Sequence, residues 1–340
     1  MDEAILNREI AALLASAGVG TAGMRVEPCA SGGNNRVLRV SAGGRRMVAK
    51  QYFRQASDNR DRLGTEYAFL ECVSTAGIDC VPAPLARDDR SGIALYEFVE
   101  GSKLRPGEVG DTQVAQALGF FRRLNDTRTR SLAAALPDAS EARFSIAEQL
   151  RLVEERVERL AAISAASCVD EQAMALGSDL RDRWTDIRER VREQCAGLGL
   201  DLQATLAAGQ RCLSASDFGF HNAIVSPAGK IVFIDFEYAG WDDPAKALCD
   251  FFSQPSVPVP LDYFDGFLAS ALAYSADAGR LARRARLLLP VFRMKWCCIM
   301  MNDFLPGPSQ RRRFADPSID ATTRKQVQLD KARRALETIT

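Results

Sequence analysis

One segment constrains this chain more than any other. Leu213 to Phe236 reads L-S-A-S-D-F-G-F-H-N-A-I-V-S-P-A-G-K-I-V-F-I-D-F, two short apolar runs around a turn, set in a region that is otherwise helical in pattern. Ser226-Pro227-Ala228-Gly229 has Pro and Gly where a type I turn wants them, and Lys230 to Phe236 is β-branched and apolar. The spacing predicts a loop followed by a β-hairpin. Strand pairing then folds Asp235, at the end of the second strand, back beside Asn222, which begins the first. Asp217, Asn222 and Asp235 would face one small volume.

That set of side chains has a chemical meaning. Moving a phosphoryl group from ATP requires a carboxylate to orient the acceptor hydroxyl and oxygen ligands to hold Mg²⁺ on the phosphates. Asp217 suits the first task, and Asn222 and Asp235 suit the second. A bare D-x-x-x-x-N is a common loop spacing, because Asp and Asn also serve turn chemistry. The hairpin and the second Asp are what distinguish this one.

Composition narrows the partners. Lys plus Arg and Asp plus Glu are both 44, so no net field points to a nucleic-acid or membrane partner. Nine cysteines without a C-x-x-C, and a single histidine, argue against a zinc site and a disulfide scaffold. They favour a reducing compartment, and a cytoplasmic location is expected. Ile5, Leu6, Ile10, Leu13 and Leu14, spaced among charged residues, predict an amphipathic first helix rather than a signal peptide. No apolar run is long enough to span a bilayer. The sequence sets no oligomeric state.

The pattern changes along the chain. Val37 to Val40, Arg46 to Tyr52 and Ile93 to Val99 read as strands, with Leu63, Tyr67 and Leu70 on a helix between them. After Gly101 the stripes are helical: Val114, Leu118, Phe121 and Leu124; Ile146, Leu150, Val153, Val157 and Leu160; Leu180, Trp184, Ile187 and Val191. Residues 1–100 therefore read as a first lobe, and 101–340 as a second with a helical insertion at about 128–205. Residues 261 to 340 carry 14 Lys and Arg against 8 Asp and Glu, including Arg283, Arg284, Arg286 and Arg311 to Arg313. A solvated basic face is the expectation there.

With these residues in view, the chain resembles the aminoglycoside phosphotransferase and choline kinase family of small-molecule kinases. The closest local match is I-D-F-E-Y-A-G-W-D-D-P at Ile234 to Pro244. Protein kinases instead place Gly two residues after the metal-binding Asp, where this chain has Glu237. The resemblance implies an α+β, protein-kinase-like bilobal fold, with a small antiparallel sheet in the first lobe and a larger, mainly helical second lobe. It implies ATP, or alternatively GTP, with Mg²⁺ as cofactors and a small-molecule hydroxyl as acceptor. Gly32, Gly33 and Asn34 would form the loop over the phosphates. Lys50, in Val48-Ala49-Lys50, would contact the α- and β-phosphates, with Glu66 as its partner and Glu71 as the fallback. The backbone of Glu97, Phe98 and Val99 would meet the adenine. Glu237, Asp242 and Asp243 are candidates for a cationic acceptor's pocket, while arginines of the basic region would suit an anionic one.

Two positions depart from the family. Ala215 replaces the histidine that usually stands two residues before the catalytic Asp, and Ser214 or Ser216 is the candidate replacement. Ala247 replaces an Asp that braces the catalytic loop, for which Asp250 is the nearest substitute. These departures keep open a second class, a kinase-like protein that acts by nucleotide or protein binding without catalysis. His221 is expected to pack or to bond within the loop, not to act as general base. Met294, Trp296, Met300 and Met301 are expected in the core.

Overall fold

The computed structural model describes residues 2–29, 35–54, 60–305 and 321–339. Gly32, Gly33, Asn34 and Arg311 to Arg313 lie outside these residues. The first lobe runs α1 (Glu3–Ser16), β1 (Arg25–Pro28), β2 (Arg36–Ala42), β3 (Arg45–Gln51), α2 (Arg62–Thr75), β4 (Pro84–Asp88) and β5 (Ile93–Glu97). Its strands form one antiparallel sheet in the order β1-β2-β3-β5-β4. The two strands that the pattern did not predict, β1 and β4, are the edges. Edge strands bury little, so R-V-E-P and P-L-A-R-D carry no clear alternation.

Period-two alternation decides which side chains face the cleft. Met47 and Ala49 of β3 and Ile93 and Leu95 of β5 pack with Leu6, Ile10 and Leu14 of α1. Ala94 and Tyr96, one residue out of phase on β5, join the main core with Leu63 and Leu70 of α2. Lys50 pairs with Ala94 in the sheet register and so lies on that second face. It is thereby aimed away from α1 and toward the second lobe.

The second lobe holds α3 (Asp111–Leu124), α4 (Thr127–Leu132), α5 (Ile146–Arg159) and α6 (Cys168–Gly197), then β6 (Cys212–Ser214), β7 (Ala223–Val225), β8 (Ile231–Phe233) and β9 (Gly240–Asp242). It ends in α7 (Pro244–Ser253), α8 (Phe264–Ala271), α9 (Ala278–Met300) and α10 (Ala321–Glu337). The expected hairpin is β7 against β8, Ala223 opposite Phe233, closed by Gly229 N–H donating to Ser226 O at 2.9 Å. A second pair, β6 with β9, brings Ser214 opposite Gly240. Together the pairs bracket the segment from Ala215 to Asn222 on both sides.

The lobes join through the chain after β5. Ser102 and Val225 exchange backbone hydrogen bonds of 3.0 and 2.8 Å, which fastens the linker to the hairpin. Gly101 is required there: a Cβ would stand 2.1 Å from Val225 O, and its φ is +149°. Among the described residues, no helix is long and apolar enough to cross a membrane.

Candidate active site

Lys50 is the centre of the upper half of the cleft. Its Nζ donates to Glu66 Oε2 of α2 at 2.6 Å and to Asp235 Oδ1 at 2.5 Å. Burial opposes its charge, but Asp235, Glu66 and Glu237 outweigh burial and hold the ammonium well above its ordinary range. Glu66 is fixed from three sides: Tyr52 OH donates to Oε2 at 2.6 Å, Phe236 N–H donates to Oε1 at 3.2 Å, and Lys50 completes the set. Tyr52 OH in turn meets Tyr96 OH at 2.7 Å. Glu66, the first choice over Glu71, is the partner of Lys50.

Lower down, sequence alternation shapes the loop from Asp217 to Asn222. Phe218 and Phe220 are buried, and Asp217 and His221 are only partly so. Phe218 stacks on Phe251 at 4.7 Å, and Phe220 lies 5.4 Å from the same ring. Each such pair adds about 0.5–1.5 kcal/mol beyond area burial. With the phenylalanines plugged into the core and Gly219 packed between, Asp217 and His221 fall on the more open side. Asp217 Oδ2 accepts from Asn222 Nδ2 at 3.1 Å, and His221 Nε2 lies 3.1 Å from Oδ1. Burial works against ionisation of Asp217, but His221 beside it, the bonds from His221 and Asn222, and Lys295 hold the carboxyl below its usual range.

The hairpin then returns Asp235. Ile234 N–H donates to Asn222 O at 2.9 Å, so the residue before Asp235 lies on Asn222. Asp235 adopts φ +70° and Ser216 φ +63°, left-handed conformations rare for side chains of this kind. Asn222 turns its nitrogen to Asp217, which leaves Oδ1 as the end able to take a metal. One carboxylate and one carboxamide oxygen fit Mg²⁺, which takes few protein ligands and completes its shell from phosphate and water. Among the described residues, no group of three or more His, Cys, Asp or Glu forms a denser metal site.

A sheet lysine paired to a helix glutamate, over an Asp and Asn on a loop and a second Asp beyond a hairpin, is the arrangement the comparisons bear on. A model described as the phosphotransferase enzyme family matches residues 25–280. The chain belongs to that family. It is thus a small-molecule kinase. No curated protein matches it in sequence. Among solved structures, a choline kinase from Cryptosporidium parvum Iowa II is similar at 13% identity and TM-score 0.56, over 99% of this chain and 97% of that one. Choline kinase LicA from Streptococcus pneumoniae gives 15% and 0.55, over 99% of both. Spectinomycin phosphotransferase APH(9)-Ia gives 10% and 0.55, over 97% of this chain and 98% of that one. At these identities the likeness shows the kinase-like fold.

Where this phosphotransferase departs from its family, other residues carry the load. Ser214 Oγ accepts from Ser216 N–H at 2.9 Å, and Ser216 Oγ accepts from Lys246 Nζ at 3.0 Å, which supports the loop beside Ala215. Lys246, on α7, also donates to Asp242 Oδ2 at 2.6 Å. Asp250 does not reach the loop directly: it accepts from Lys295 Nζ at 2.5 Å and Trp296 Nε1 at 2.9 Å, with Lys246 4.0 Å away. Burial pushes the Asp242 carboxyl up to about 6, in spite of Lys246.

Three acceptor candidates are corrected by their burial. Asp242 and Asp243 are wholly buried. Asp243 caps α7, accepting Ala245 N–H at 2.8 Å, and is neutralised by Arg284 at 2.5 Å. Neither carboxylate offers a surface to an acceptor. Glu237 is also buried and accepts from Asn35 Nδ2, which ties it to the first lobe. Two arginines of the basic region serve elsewhere, since Arg284 holds Asp243 and Arg286 pairs with Asp265. Met294, Met300 and Met301 are core, as expected, but Trp296 is half-buried and sets its ring edge-on to His221, 6.3 Å between centroids. Sequence reasoning missed Tyr52, Lys246 and Lys295. Only Lys246 left a signal, a lone cation in the apolar run A-K-A-L-C.

Proposed function

We propose that this kinase transfers the γ-phosphoryl group of ATP to a hydroxyl of a small molecule, between lobes spanning residues 1–100 and 101–340. The observation that carries this reading is that one cleft joins Lys50, Glu66 and Asp235 by direct contacts, with Asp217 and Asn222 joined to Asp235 through the hairpin. Lys50, held by Glu66, meets the α- and β-phosphates. Glu97, Phe98 and Val99 present backbone to the base; among the described residues the amides of Phe98 and Val99 have no backbone partner. Gly32, Gly33 and Asn34 would cover the phosphates. Mg²⁺, held by Asn222 and Asp235, supplies neutralisation of the phosphate oxygens when bound.

Asp217 accepts the hydrogen bond of the acceptor hydroxyl and takes its proton as the new P–O bond forms. Most of the rate gain comes from positioning and electrostatics. The similar structures include complexes with ADP and spectinomycin, and with AMP, which supports a nucleotide cosubstrate, ATP or GTP. For the acceptor they support an amino alcohol such as choline, or an amino sugar or aminoglycoside. All nine cysteines are free thiols, consistent with a cytoplasmic location. The serines and Lys246 beside Ala215 favour catalysis over the binding-only alternative.

The test is thermal shift with Mg-ATP and Mg-GTP, followed by ADP or GDP release on a panel of choline, ethanolamine, sugars, amino sugars and aminoglycosides. Asp217→Asn is expected to lower turnover about 10³-fold while nucleotide binding persists. Unchanged turnover in that variant would falsify the mechanism, and absence of nucleotide binding would remove the whole reading.

A further inference from the structure

We propose that His221 is a positioning residue for phosphoryl transfer: its ring holds Oδ1 of Asp217 while Asn222 holds Oδ2, so that the carboxylate faces the acceptor hydroxyl in one orientation. This rests on the reading of Asp217 given above. A carboxylate free to rotate presents its lone pairs in many directions. Here two donors, each 3.1 Å away, fix both oxygens, and each oxygen keeps a lone pair for the acceptor.

Three further observations show that the ring is built into this place. The first concerns Gly219. A Cβ there would stand 2.6 Å from His221 Nδ1 and 2.8 Å from Cε1, so the absent side chain is what lets the imidazole fold back toward Asp217. The second is Trp296, whose indole meets the imidazole at 82° and is itself anchored by Nε1 donating to Asp250 Oδ1 at 2.9 Å. Helix α9 thereby supports the ring from behind. The third is Nδ1, which is buried and has no hydrogen-bond partner among the described residues. An apolar side chain of similar volume would avoid that penalty. A ring kept only for packing has no use for it, whereas a ring kept for Nε2 does.

The chain's only histidine is its own reporter. In protein labelled with ¹⁵N-histidine, the two ring nitrogens of His221 are read without assignment by long-range ¹H–¹⁵N correlation. Asp217→Asn is expected to shift Nε2 more than Nδ1. In parallel, kcat and the KM for Mg-ATP are measured with the best acceptor of the panel, or as basal ATP hydrolysis. His221→Leu is expected to lose about 10- to 100-fold in kcat with the KM for ATP within about twofold. His221→Gln, which carries an N–H of similar reach, is expected to recover to within about fivefold of wild type. Equal loss in the two variants, or an Nε2 signal indifferent to Asp217→Asn, overturns the proposal. Should His221→Leu fail to fold, as judged by thermal melting, the Gln variant and the spectrum still decide. Full turnover in Asp217→Asn would instead strike the parent mechanism, so the two failures are distinguishable.

Discussion

The two halves of the cleft are built differently. Around Lys50, the ion pairs join residues in the places that the family pattern assigns, a strand lysine, a helix glutamate sixteen residues on and the Asp after the hairpin, and Tyr52 is the one addition. Around Asp217, the support beyond Asn222 comes from residues the pattern does not name. Lys246 reaches Ser216 from α7, Lys295 and Trp296 reach Asp250 from α9, and His221 reaches Asp217 from within the loop. The difference follows from the tasks proposed above: the Lys50 side would have to meet one fixed chemical group, the phosphates, whereas the loop needs only to be held still, which different side chains can do.

The largest effect is expected from Lys246→Met. It would leave Asp242 buried without a cation, and Asp250 with Lys295 alone, at a loss of about 3–5 kcal/mol. Urea unfolding monitored by fluorescence measures it, and a loss below about 1 kcal/mol would mean that the loop is held by other means. Next, Lys50→Met should lower kcat/KM for ATP about 100-fold, near 2.7 kcal/mol in the transition state. Steady-state kinetics on the wild type and this variant would show whether the two halves are energetically separate. A Lys50→Met protein that loses less melting stability than Lys246→Met, and more turnover, would sharpen the contrast between chemistry and scaffolding.

Smaller effects test the borders. Tyr52→Phe removes one hydrogen bond to Glu66 and one to Tyr96, and about 1 kcal/mol is expected by thermal melting. Smaller still at neutral pH is Glu141→Gln, because the Glu141 side chain is about a third exposed and solvent screens its ion pair. Glu141 adopts φ +60° and its carboxyl bonds Arg156 at 2.5 Å. Burial works against its charge, but Arg156 and Lys295 outweigh burial and bring its pKa down from 4.5 to about 2. Since the folded value lies below the unfolded one, the charge stabilises the fold above pH 4.5, and that stabilisation fades as pH falls from 4.5 toward 2. The gap between wild type and Glu141→Gln should therefore narrow over that window in pH-dependent unfolding. A constant gap would mean that the ion pair does not contribute through charge.

Legibility in the sequence follows the same division. Strands β2, β3 and β5, the hairpin and the amphipathic helices are each written in local periodicity, and Lys50, Glu66 and Asp235 stand at local motif spacings. What stayed hidden depends on contacts distant in sequence. Lys295 meets Asp250 across 45 residues, and Glu237 meets Asn35 across 202, so no spacing rule connects them. Asp242 and Asp243 misled for a related reason. A run of acids next to a metal ligand reads as open charge until Lys246 and Arg284, one local and one 41 residues away, are seen to neutralise it. Edge strands β1 and β4 were silent because they bury too little to show a pattern.

The fastening of Ser102 to Val225 has a mechanical consequence. Because the linker is stitched to the hairpin at that point, any rocking of the first lobe would have to be taken up by the short stretch from Glu97 to Gly101. The same hairpin carries Asn222 at one end and Asp235 just past the other. The point of attachment and the side chains proposed to hold the metal therefore sit on one hairpin, so any such rocking would change the position of Lys50 relative to them.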